Sequence, residues 1–63
     1  MYEFTAKIFD GNQEIERRTG NDSDILYIWM LTQVQGKFGD LKGIIIDNSS
    51  SEIIKTFNAC SSD

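Results

Sequence analysis

Residues 25–31 read Ile25-Leu26-Tyr27-Ile28-Trp29-Met30-Leu31, seven apolar or aromatic side chains in succession. Polar signals bracket them. Gly20-Asn21-Asp22-Ser23-Asp24 precedes, and Asn21, Asp22 or Ser23 can cap a helix whose positive end the acids suit. Gly36 follows, well placed to end it. The segment therefore predicts a helix from about Ser23 to Gln35. Seven apolar residues in a row wrap fully around a helix, whereas a surface helix shows one stripe and a polar face. A single small sheet covers only one side of it. The other side, carrying Trp29 and Tyr27 or Met30, is then expected to be exposed or to meet a partner.

Strands are expected on either side of that helix. In Tyr2 to Phe9, the residues Tyr2, Phe4, Ala6 and Ile8 alternate with Glu3, Thr5 and Lys7. Period two marks a half-buried strand. Asp10-Gly11 is a hairpin signal, and Gln13 to Thr19 is expected to return as a polar edge strand with Ile15 its one aliphatic residue. After a connection at Lys37-Phe38-Gly39-Asp40, the stretch Leu41 to Asp47 contains three isoleucines in succession. A central strand buried on both faces fits that pattern. Asn48 to Ser51 reads as a turn. Glu52 to Phe57 is ambiguous between strand and short helix, with strand favoured by Ile53, Ile54, Thr56 and Phe57, and Asn58 to Asp63 reads as a frayed tail. The expectation is one α+β domain over residues 1–63. Its order is β-β-α-β with a possible fourth strand, in a three- or four-stranded antiparallel sheet.

A chain of 63 residues buries only about 60% of the surface that its unfolded form exposes. Small domains supplement such cores with disulfides, metals or self-association. Cys60 is the only cysteine and there is no histidine, so an intrachain disulfide is excluded and zinc has almost no ligands. Self-association is the supplement that remains, and no cofactor is expected. Ten acids against six bases give a net charge of −4. That balance disfavours direct binding of nucleic acid or an anionic membrane and suits a partner with a basic site. Plain solubility also explains a charge of this size. No charged start followed by an apolar run is present, and the longest apolar run is far too short to span a bilayer. With one free thiol, a cytoplasmic location is expected.

Catalytic chemistry has few residues to use. The usual neutral-pH acid–base group is missing, Cys60 has no histidine to activate it, and Gly39 and Gly43 form no phosphate loop. Asp22 and Asp24 read as helix-capping acids more readily than as a paired-carboxylate site. The expectation is a binding protein and not an enzyme.

Several short pieces share an order with one known family. They are Tyr2-Glu3-Phe4-Thr5, then Asp10-Gly11-Asn12-Gln13, then Glu16, Gly20 and Ser23-Asp24-Ile25. This resembles the small uracil-DNA glycosylase inhibitor family of short-tailed Bacillus phages. The likeness covers residues 2 to 31, about half of the chain, with small length changes before the hairpin and before the helix. Its separate pieces are common turn and cap signals, and the shared order carries the weight. It implies a homodimer of β-β-α-β subunits that mimics DNA, occupies the groove of the host glycosylase and protects phage DNA from uracil excision in the host cytoplasm. It also implies an apolar pocket between the helices, which receives the side chain that the enzyme pushes into DNA. By position, Glu16 matches the family's acidic strand residue, Ile25 an aromatic after Ser-Asp, and Trp29 a functional aromatic. Leu26 stands where the family has a glutamate, a contact that Asp24 or Asp22 would replace, and residues from Asn48 onward extend beyond the family pattern. The candidate partner-binding set is thus Glu16, Asp22, Asp24, Ile25, Leu26, Ile28 and Trp29. Tyr27 and Met30 are assigned to a dimer contact or pocket. The alternatives are an acidic module that inhibits another nucleic-acid-binding protein, such as a restriction or CRISPR component, and a structural dimerisation domain.

Overall fold

The hairpin at Asp10-Gly11 organises the sheet. In the computed structural model, which describes residues 2–36 and 39–60, strand β1 (Phe4–Asp10) turns at Gly11 into β2 (Gln13–Gly20). Gly11 has φ +64°, a conformation that glycine adopts without steric cost. Helix α1 (Ser23–Val34) follows, then β3 (Asp40–Asp47) and β4 (Glu52–Cys60). The four strands form one antiparallel sheet in the order β2-β1-β3-β4. The fold is α+β. The isoleucine-rich β3 is central, and the polar β2 is an edge.

The tail expectation is corrected at Asn58 to Cys60. These residues continue β4 and pair with Lys42, Leu41 and Asp40. Backbone ladder bonds, unseen in side-chain pattern, hold this polar end in the sheet. Residues 61–63 lie outside the described residues.

The helix covers one face. Ala6 and Ile8 of β1, Ile45 of β3, and Leu26 and Met30 of α1 form the buried core. Burying each large aliphatic side chain contributes roughly 1.5–3 kcal/mol. Phe4, Ile15, Tyr27, Trp29, Val34 and Phe57 pack around them. Ile15 reaches this cluster from a polar strand because the β1–β2 register shifts between Ile8 and Phe9. The extra residue of such a bulge lets the strand change face. Gly43 leaves a notch on β3 that the Phe57 ring fills; a Cβ there would collide with the ring. The Phe57 ring also meets Tyr27 edge-on, with centroids 5.8 Å apart.

The other face has no helix. β-alternation places Thr5, Lys7 and Phe9 of β1, Lys42, Ile44 and Ile46 of β3, and Thr56 of β4 there. Ile44 is nevertheless buried, since its neighbours on adjacent strands are Lys7 and Thr56. Among the described residues no helix is long and apolar enough to cross a membrane.

Candidate interaction surface

The helix start is fixed by Asp22. Its carboxylate accepts hydrogen bonds from the backbone N–H of Asp24 at 2.9 Å and of Ile25 at 3.3 Å, and its carbonyl accepts from Leu26 N–H. This capping satisfies donors that the first helical turn leaves open. It also fixes the rotation of the helix. Leu26 and Met30 point into the core, while Ile25, Ile28 and Leu31 point outward.

The outward set differs from the expected one. Ile25 and Ile28 are 63% and 60% exposed, and Leu31 joins them on the same side. A spacing of three residues keeps the three in one stripe. Leu26 and Met30, assigned to partner contact and to a dimer pocket, are 2% and 0% exposed and belong to the core of the single chain. Trp29 and Tyr27 are half-buried and lie on the flanks. Each flank carries a cation. The Arg18 guanidinium from β2 sits 5.7 Å from the Trp29 ring, and the Lys55 ammonium from β4 sits 5.6 Å from the Tyr27 ring. Such stacking is worth about 0.5–1 kcal/mol at exposed sites. Leu31 was not singled out in the sequence; its position three residues after Ile28 was the available signal.

The strand register gathers acids beside the start of this stripe. Phe4 pairs with both Gly20 and Asp47, and Asp47 pairs with Glu52. Asn21 accepts from Glu3 N–H, and the Asn48 side chain ties Tyr2 and Thr5 to the same end. Glu3, Asp22, Asp24, Asp47 and Glu52 therefore share one end of the sheet. Asp24 is 81% exposed at its side chain and lies 3.5 Å from Lys55. Asp47 accepts from both the hydroxyl and the N–H of Ser49, which hold its carboxyl below the usual aspartate range. Glu3 and Glu52 have no ion-pair partner among the described residues. Glu16 stands apart, half-buried at mid-length of β2 beside Ile8. The acids do not converge on a point, and among the described residues no three could hold a metal ion.

The sheet supplies a second uncovered surface. A shallow hollow of about 340 Å³ on its open face is lined by Phe9, Gly11, Asn12, Lys42, Ile44, Ile53 and Thr56. Comparison with protein-family models, with curated proteins and with solved structures finds no match to this chain.

Proposed function

We propose that this chain is a non-enzymatic, DNA-mimicking inhibitor of uracil-DNA glycosylase. The observation that carries the reading is the junction of an acidic end with an uncovered apolar stripe. Glu3, Asp24 and Glu52 lie at the end of the molecule where Ile25 and Ile28 begin their outward row. A glycosylase groove is basic because it tracks phosphates. Carboxylates in place of those phosphates gain charge-assisted hydrogen bonds and speed the encounter. An enzyme that flips a base also carries an exposed apolar wedge. The stripe offers that wedge an apolar seat, the type of anchor that dominates interfaces. The ordered resemblance over the hairpin and helix start supports the same target.

The contact set follows the outward side chains: Asp24, Ile25, Ile28 and Leu31, with Glu3, Glu52 and Glu16 as acidic contacts. Trp29 borders it, while Leu26 and Met30 do not enter it. Sheet pairing between copies in a homodimer would use β2 or β4, because both edges of β3 are taken within the chain.

A second reading is favoured by one residue. Leu26, where the resemblance would place a glutamate, is buried, so the acidic pattern is not the family's own. Inhibition of a different nucleic-acid-binding protein uses the same surface.

The test is excision of uracil from an oligonucleotide by bacterial glycosylases, with this protein in slight molar excess. Stoichiometric inhibition relieved by salt is expected, and Ile28→Asp or Asp24→Lys should abolish it. Unchanged excision with enzymes from several bacteria, the natural host's included, would reject the glycosylase target. Capture of a restriction or CRISPR component from host lysate would then establish the second reading.

A further inference from the structure

The two uncovered surfaces lie on opposite sides of the molecule and differ in charge. The open sheet face carries Lys7, Arg17 and Lys42 against Glu14 and, by strand alternation, Asp40, a balance of +1 (three cations minus two acids). The whole chain is −4, so everything else sums to −5 (−4 minus +1). Lys7 and Arg17 share Glu14, whereas Lys42 has no ion-pair partner among the described residues and borders the hollow formed by Phe9, Ile44 and Ile53. Ile53 is 56% exposed. The surface asks for an apolar occupant with an acidic margin.

We infer that the open sheet face receives the outer helix stripe of a second copy, head to tail. The stripe has that chemistry: three aliphatic side chains in a row, with Asp24 as the helix's only charged residue. Its shape fits as well. Four strands at about 4.8 Å spacing make a platform wider than a helix of about 10 Å diameter. The same helix already packs on the opposite face of its own sheet, so the stack repeats helix on sheet. Each sheet then gains the second covering layer that a single copy lacks.

Symmetric pairings fit less well. Sheet against sheet would oppose the two sets of Lys7, Arg17 and Lys42. Helix against helix would leave the hollow and Lys42 uncovered. A head-to-tail contact has no two-fold axis, so it continues into a ring or an open stack. The contact uses the same helix stripe as the glycosylase reading, so one stripe serves a second copy or the enzyme and not both at once; sedimentation tests the first and uracil excision the second.

The experiment is sedimentation velocity over a range of concentrations on the wild-type chain, Ile28→Asp and Lys42→Glu. Both substitutions fall on exposed side chains, and circular dichroism checks each fold; Thr56→Glu replaces Lys42→Glu should the latter not fold. The wild type is expected to grow beyond a dimer with concentration and to shrink with added salt. Each variant alone should be monomeric. Mixed, they should form a dimer and nothing larger, because one copy supplies an intact sheet face and the other an intact helix. A wild-type monomer, a wild-type dimer indifferent to Lys42→Glu, or a mixture that stays monomeric would each overturn the inference.

Discussion

The same sheet presents two faces that differ in cover, and β3 shows the difference within three residues. Ile45 lies under the helix among Ala6, Ile8, Leu26 and Met30, with no exposure. Ile44 and Ile46 point the other way, toward Phe9, Thr56 and the partly exposed Ile53. One isoleucine run thus serves a finished core and an unfinished one. Apolar content alone does not say which face is covered; the single helix decides it. The cations repeat the division, with Arg18 and Lys55 laid over aromatic rings beside the helix and Lys42 left to the open face.

Truncations on the two faces measure this contrast. Ile45→Ala or Met30→Ala should cost about 2–5 kcal/mol in urea unfolding, while Ile53→Ala or Ile28→Ala should stay within about 0.5 kcal/mol in dilute protein. A large cost for Ile53→Ala in dilute protein would mean that the open face is covered even there. Next in size is Gly43→Ala, expected to cost about 1–3 kcal/mol because the new Cβ displaces the Phe57 ring. Its near-ultraviolet dichroism should change through Tyr27, whereas a substitution at exposed Thr56 on the opposite face should leave that signal intact. Asp22→Ala should lower stability by about 1 kcal/mol through loss of the helix cap, read as a shifted urea midpoint.

The smallest effect concerns acid. The Asp47 carboxyl is held below its ordinary value by Ser49, so the stability it contributes is present above the unfolded aspartate value. That contribution is lost as pH falls through the lower folded value. The stability gap between wild type and Asp47→Asn should therefore be constant near neutrality and close below about pH 4. A gap unchanged into strong acid would detach Asp47 from the turn.

Much of this architecture was legible in the residues. Alternation gave β1, Asp10-Gly11 the hairpin, the isoleucine run the central strand, and the polar signals the helix limits. The helix's outward face was not legible, because seven apolar residues in succession carry no preferred side. Its rotation depends on Asp22 capping and on the seating of Leu26 beside Gly20 of β2. For that reason Leu26 and Met30 were placed outside and proved to be core, while Leu31 was passed over. The last three residues of β4 were misread because ladder pairing leaves no mark on Asn58 or Ala59. The acidic end was missed for a related reason: Glu3, Asp47 and Glu52 are distant in sequence and meet only through the register.

The strand order also sets when the chain can fold during its own synthesis. The β1–β2 and β3–β4 pairs are local hairpins. The ladder that joins them, β1 to β3, pairs Phe4 with Asp47, 43 residues distant (47 minus 4). Closing so long a loop is slow relative to forming a hairpin. A nascent chain that has released only β1, β2 and α1 holds Ala6, Ile8, Leu26 and Met30 without Ile45. Its helix is then apolar on every side and lacks half its seat, so it is in this interval that the chain is most exposed to capture by chaperones or by other chains.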